Sequence, residues 1–154
     1  MHSASLIDGP ETTRPAVMPP LRGVLETALY VDDLDRADRF YGDVLGLAPL
    51  FSDDRMRAFA AGDRSVLLLF QRGASLEPVK MHGGTIPPHD GNGPLHVAFA
   101  VETAELSEWE GRLGACNILI EGQTIWPRGG RSIYFRDPDG HLLELATPGL
   151  WKIY

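Results

Sequence analysis

The chain states one pattern twice, and that duplication limits what it can fold into more than any other feature. The first copy runs from Val24-Leu25-Glu26-Thr27-Ala28-Leu29-Tyr30-Val31, through a helical stretch closing at Leu45-Gly46-Leu47, to the apolar run Ser65-Val66-Leu67-Leu68-Leu69-Phe70. The second runs from Leu95-His96-Val97-Ala98-Phe99-Ala100-Val101, through a helical stretch closing at Leu113-Gly114, to Asp137-Pro138-Asp139-Gly140-His141-Leu142-Leu143-Glu144. A repeated unit of this kind is one supersecondary piece whose apolar face its neighbour buries. Overlaying the copies sets Glu26 opposite His96, and a duplicated strand-helix-strands fold can bring both toward Glu144. Two carboxylates and an imidazole are a metal-ligand set.

Within each copy the side-chain period separates two faces. Leu25, Thr27, Leu29 and Val31 share one face of the first strand, and Glu26, Ala28 and Tyr30 share the other. Asp32 and Asp33 supply N-cap chemistry for a helix carrying Leu34, Ala37, Phe40, Tyr41, Val44 and Leu45 at three- and four-residue spacing, which Gly46 stops. In the second copy Val97, Phe99 and Val101 form the apolar face, and His96, Ala98 and Ala100 the small and polar one. Thr103 is placed to cap a helix with Leu106, Trp109 and Leu113 that closes at Gly114. The Asp-Pro-Asp-Gly turn then launches a strand whose Leu142, Glu144 and Ala146 point one way and whose His141, Leu143 and Leu145 point the other. His141 is therefore on the wrong face to join Glu144. Just upstream, Ser132, Tyr134 and Arg136 alternate with Ile133 and Phe135.

Length and charge bound the function. At 154 residues and 44% hydrophobic content the chain builds one domain, here two fused half-modules. A formal charge of −7, with 21 acidic against 14 basic residues, leaves no basic stripe for phosphates, so a nucleic-acid partner is not expected. No apolar run reaches the roughly 20 residues a bilayer demands, so no membrane partner is expected either. The lone Cys116 and the absence of a signal-like segment suggest a cytoplasmic protein. Residues 1–22, with four prolines among the first twenty, read as a flexible tail before a single domain over 23–154. That domain divides into modules 23–70 and 94–149, joined by loop 71–93 with its five Gly and two His. A loop this long is either a linker or a lid.

Asp33-Leu34-Asp35-Arg36-Ala37 with Phe40-Tyr41, Leu95-His96-Val97-Ala98-Phe99, and Asp137-Pro138-Asp139-Gly140-His141 with Glu144 together resemble the vicinal oxygen chelate superfamily, also called the glyoxalase/bleomycin-resistance/dioxygenase fold. The resemblance implies an α+β fold: two tandem βαβββ modules forming a half-open mixed β barrel with helices on the outside and a divalent metal at its centre. Carried over position by position, it places the family's ligands at Glu26, Leu68, His96 and Glu144. Leu68 cannot bind a metal, which leaves three protein ligands, as in extradiol dioxygenases and fosfomycin-modifying thiol transferases, where glyoxalase I has four. Two carboxylates with one imidazole favour Mn, Fe(II), Ni or Mg over Zn. Such a metal acts as a Lewis acid on a small substrate with adjacent oxygens.

The stretch from Arg131 to His141 is similar to the strand-turn-strand of the fosfomycin-resistance transferases, where Ser, Tyr and basic residues lie near the substrate. The resemblance therefore nominates Tyr30, Ser132, Arg128, Arg131 and Trp126 for substrate binding. Glu144, Tyr134 and His89 are the candidates for catalysis, His89 as an acid/base group reaching from the loop. A homodimer is usual for the family, and the three ligands meet either within one chain or across that dimer. Two other functions stay open: a metal-free binding protein that sequesters drugs, and lactoylglutathione lyase. The apolar tail Leu150-Trp151-Lys152-Ile153-Tyr154 is expected to dock on its own sheet or on a partner.

Overall fold

The computed structural model describes residues 17–154, so most of the expected tail lies outside the described residues. The chain then alternates strands and helices as two modules. The first contains β1 (Glu26–Val31), α1 (Leu34–Asp38) continuing as a π-helical turn over Arg39–Val44, β2 (Ala48–Ser52), β3 (Met56–Ala60) and β4 (Val66–Gln71). A short hairpin follows, β5 (Val79–Met81) and β6 (Gly84–Ile86). The second module contains β7 (His96–Ala100), a 3-10 turn (Thr103–Glu105), α2 (Leu106–Ala115), β8 (Gly122–Ile125), β9 (Arg131–Arg136) and β10 (Leu142–Ala146).

The two four-stranded sheets are topological twins, ordered β1-β4-β3-β2 and β7-β10-β9-β8. Their registers match as well. Glu26 pairs with Val66 and Ala28 with Leu68 in the parallel β1–β4 ladder; His96 pairs with Leu142 and Ala98 with Glu144 in the parallel β7–β10 ladder. Glu26 and His96 are therefore equivalent positions, and so are Leu68 and Glu144, as the overlay of the sequence copies requires.

Local chemistry sets the helix ends. Asp33 accepts from the Arg36 backbone N–H and caps α1. The π-helical turn closes with Leu45 N–H donating to the Phe40 carbonyl, and Gly46 at φ +69° ends it in the left-handed region. The second helix departs from expectation at both ends. Thr103 begins a 3-10 turn and makes no side-chain cap, so α2 proper starts at Leu106. It runs past Gly114 and stops where Asn117 takes φ +56°, a residue whose short polar side chain tolerates that conformation.

One core serves both modules. Leu29, Val31, Leu67 and Leu69 from the first sheet join Ile133, Phe135, Leu143 and Leu145 from the second, with Ala37, Tyr41, Leu106 and Leu113 of the helices between them. Leu25, expected on this face, precedes β1 and is exposed. A polar seam reinforces the junction. Buried Tyr41 donates its hydroxyl to Asp137 Oδ2 at 2.7 Å, and His141, fully buried, lies 2.7 Å through Nε2 from the Tyr30 carbonyl. The Leu95 N–H donates to His141 Nδ1, so Nε2 carries the imidazole hydrogen. The tail folds back on its own sheet: the Tyr154 hydroxyl lies 2.9 Å from the Ala146 carbonyl, while Trp151 and Ile153 stay exposed.

Candidate metal centre

Because the helix-side faces of both sheets are consumed in one core, the opposite faces look away from it. On the second module that outer face carries His96, Glu144, Tyr134 and Ser132, since directly paired residues share a face: Glu144 with Tyr134, Ala146 with Ser132. His96 and Glu144 meet there, His96 Nε2 lying 3.2 Å from Glu144 Oε2. The electrostatics of this contact are specific. His96 Nδ1 is 2.9 Å from the Leu142 carbonyl, which can only accept, so Nδ1 carries the hydrogen. Nε2 of the neutral ring then turns a bare lone pair toward a carboxylate oxygen. Two acceptors that close need a cation between them, either a proton or a metal ion. Glu144 is only 5% exposed, and its other oxygen, Oε1, has no hydrogen-bond partner among the described residues. A buried carboxylate left this way is costly unless a positive ligand joins it. The donors also fit a metal geometrically, since neighbouring ligands at bonds of roughly 2.1 Å stand about 3 Å apart.

Glu26 is elsewhere. It is exposed at the start of edge strand β1, and no group of three or more His, Cys, Asp or Glu that could hold a metal exists among the described residues. The chain thus brings two of the three expected ligands together and keeps the third on the other module. With Glu26 on that face lie Ala28, Tyr30, Leu68 and His89, around a cavity of about 510 Å³. The Tyr30 hydroxyl is 2.7 Å from His89 Nδ1, and burial together with the Asp90 charge raises the Tyr30 pKa and keeps the phenol protonated. His89 therefore pairs with Tyr30 and stands apart from Glu144.

The remaining candidates separate by face. Ser132 is buried and accepts from the Trp126 indole N–H at 2.8 Å, so these two form one fixed unit on the Glu144 side. Tyr134 is half-buried beside Glu144. Arg128 is exposed in the β8–β9 turn. Arg131 shares a face with Ile133 and turns to the helix side, where its guanidinium reaches Glu110 of α2 at 3.5 Å; strand parity takes it off the face that holds Glu144. The loop read as a linker or a lid contains the β5–β6 hairpin, and its partly buried segment supplies Ser75, which no sequence signal marked.

A duplicated βαβββ unit with a His–Glu pair on the outer face of its second sheet defines the class of protein. The family model described as the glyoxalase/bleomycin resistance protein/dioxygenase superfamily matches residues 23–145, and the chain belongs to that superfamily. Among individual proteins, it is 30% identical over 118 residues to the metallothiol transferase FosB of Staphylococcus saprophyticus, covering 76% of this chain and 71% of that one. It is also 30% identical over 129 residues to the FosB of Shouchella clausii, covering 82% and 81%. Among solved structures, the lactoylglutathione lyase from Agrobacterium tumefaciens superposes with a TM-score of 0.79 at 38% identity, covering 87% of this chain and 99% of that one. The protein thus stands among the enzymes of this superfamily, and no helix among the described residues is long and apolar enough to cross a membrane.

Proposed function

We propose that this protein is a divalent-metal enzyme acting on a small substrate with adjacent oxygens, in a site built from His96 and Glu144 of one chain and Glu26 of a second copy. The observation that carries the metal is the His96–Glu144 contact: a ring nitrogen 3.2 Å from a buried carboxylate whose second oxygen lacks a partner among the described residues. Two carboxylates and one imidazole favour Mn, Fe(II), Ni or Mg over Zn. Such an ion supplies Lewis acidity to negative charge developing on a substrate oxygen.

The chain's own residues do the rest. Leu142 fixes the His96 tautomer through its carbonyl, Tyr134 pairs with Glu144 across the β9–β10 ladder, and Trp126 holds Ser132 in place. Tyr30 and His89 face the substrate from the Glu26 side, and Arg128, exposed in the β8–β9 turn, is the candidate cation for an anionic group. The relatives' names point to the reaction class: metallothiol transferase and lactoylglutathione lyase both name thiol chemistry. Addition of a thiol, or rearrangement of a thiol adduct, is the reading these names favour.

Support for the second copy comes from topology. Within one chain the helix sides are already paired, Glu26 joins no metal-holding group with His96 and Glu144 among the described residues, and β2 and β8 are open sheet edges that another copy can cover. The test is subunit complementation. Glu26→Ala and Glu144→Ala proteins are expected to lose Mn(II) binding separately. Mixed and reassociated, they regain about a quarter of wild-type occupancy, because random pairing makes half the dimers mixed, each with one intact site of two. Recovery of none, with metal still bound by wild type, moves the ligands into one chain. Wild type that takes up none of Mn, Fe(II), Ni or Zn sinks the metal. Turnover of the methylglyoxal hemithioacetal, against thiol addition to fosfomycin, then separates the two thiol reactions.

A further inference from the structure

The cavity on the Glu26 side carries information about the substrate that the metal pair does not. It lies between the outer face of the first sheet and the β5–β6 hairpin, with Met56, Leu68, Phe70 and Ile86 among its walls. At about 510 Å³ it falls within the span of roughly 300–1,000 Å³ typical of small-molecule sites. Its floor is rigid. Tyr30 and Phe70 stack at 6.0 Å between ring centroids, and the His89 ring meets Phe70 edge-on at 4.6 Å. The loop that delivers His89 is tied by its backbone N–H to the Ser75 carbonyl and packs so closely on Tyr30 at Gly91 that a Cβ there would overlap the ring.

Two polar features face this space. Ser75 lines the cavity, is 2% exposed, and its hydroxyl meets no hydrogen-bond partner among the described residues. A buried hydroxyl in that condition is left for a ligand to satisfy. The second feature is the Tyr30–His89 pair. If the phenol donates to Nδ1, the ring keeps an N–H at Nε2 and the phenol oxygen keeps a lone pair; if Nδ1–H donates, the phenol O–H is free and Nε2 accepts. Either way the pair retains one donor and one acceptor. The charges at the cavity are Glu26, Glu77 and Arg55, and the Arg55 guanidinium already has the Asp53 carboxylate at 3.9 Å. An anion entering here meets two carboxylates and one partly satisfied cation.

We propose that this cavity binds the body of the substrate, and that this body is an uncharged, mainly apolar group carrying a hydroxyl or carbonyl that hydrogen-bonds to Ser75 and to the Tyr30–His89 pair. The hairpin acts as the specificity element, since it supplies the outer wall of a pocket that the sheet alone leaves open. The substrate class so named rests on the site proposed above, yet the cavity is complete within one chain, so it stands or falls separately from the metal.

The experiment uses the full chain, with chelator and again with Mn(II), and three matched probes: 4-phenylbutanol, 4-phenylbutyrate and 4-phenylbutylamine. Binding is followed by backbone amide chemical shifts. The alcohol is expected to bind saturably in both conditions, about tenfold tighter than the carboxylate, with the largest shifts at Ser75, Ile86 and His89. Ser75→Ala should weaken it about three- to tenfold, the loss of one neutral hydrogen bond, while Ile86→Ser, at a half-exposed hairpin position, tests the wall without entering the fold's core. The proposal is overturned if the carboxylate or the amine binds as tightly as the alcohol, if the shifts centre elsewhere, if both variants bind as wild type does, or if no probe binds. Binding that persists in chelator while metal uptake fails leaves this cavity intact and removes only the metal.

Discussion

Tyr41→Phe removes one oxygen from the seam between the modules and nothing else, so its effect can be worked from the structure. The Tyr41 ring is fully buried, and its hydroxyl donates at 2.7 Å to Asp137 Oδ2. Asp137 is itself 5% exposed, and its other oxygen already accepts from the backbone N–H groups of Asp139 and His141. The phenyl ring keeps the packing and leaves Oδ2 buried without its donor. Hydrogen bonds to charged groups contribute roughly 1.5–3 kcal/mol, which sets the expected loss of unfolding free energy. For a chain of this length that corresponds to a fall in Tm of about 3–10 °C. Urea unfolding at pH 7 measures it directly, with an unchanged m-value as the condition that only stability has moved.

The same residue gives the sign of an alkaline effect. Burial, then the Asp137 charge, raises the Tyr41 pKa far above the ordinary phenol value near 10. In the unfolded chain the phenol ionises near that ordinary value, so above about pH 10 the folded state binds the extra proton and stability falls as pH rises, by up to roughly 1.4 kcal/mol per pH unit. Tyr41's contribution is fully present below that pH. The variant's phenyl ring has no proton to lose, so the gap between wild type and variant should narrow above about pH 10. A loss under about 0.5 kcal/mol at neutral pH, or a gap that stays constant into the alkaline range, refutes the reasoning.

Two further outcomes follow from the twin registers and from one close backbone approach. Leu68→Glu puts a carboxylate at the position equivalent to Glu144 on the Glu26 side, and it should tighten Mn(II) binding about tenfold or more, read by titration; unchanged affinity means that the first sheet does not face the metal. At Gly130 a Cβ would stand 2.6 Å from the Gly149 carbonyl carbon and 2.8 Å from the Leu150 nitrogen, so Gly130→Ala should destabilise by about 1–3 kcal/mol and release the tail, seen as faster amide exchange over residues 150–154.

What the sequence made legible is what side-chain period encodes. The alternations through Leu29 and Val31, through Val97 and Phe99, and through Leu143 and Leu145 identify strands with one buried face, and the two copies of that pattern fix both sheets and their matching order. The same alternation, applied to Arg131, takes it to the helix side with Ile133 and away from Glu144. Loop 71–93 was opaque for a physical reason: its strands are three residues long and mostly exposed, which leaves no run over which a period of two can register. The partnership of Tyr30 with His89, 59 residues apart, and the orphaned hydroxyl of Ser75 are tertiary facts that no local spacing carries. The His96–Glu144 contact stands between these cases. The overlay singled out both residues, but only the ladder register shows them diagonal on one face, with the Leu142 carbonyl choosing the ring tautomer.

A chain built from two like halves suggests two units that melt, fold and are inherited separately. The single core argues otherwise. Leu29 and Leu69 from one half are buried against the same cluster as Phe135 and Leu145 from the other, so neither half retains a closed interior when the other is removed. Unfolding should then be all-or-none despite the duplication, and a half-length ancestor of this chain would have needed to pair with its own copy before it could hold a fold at all.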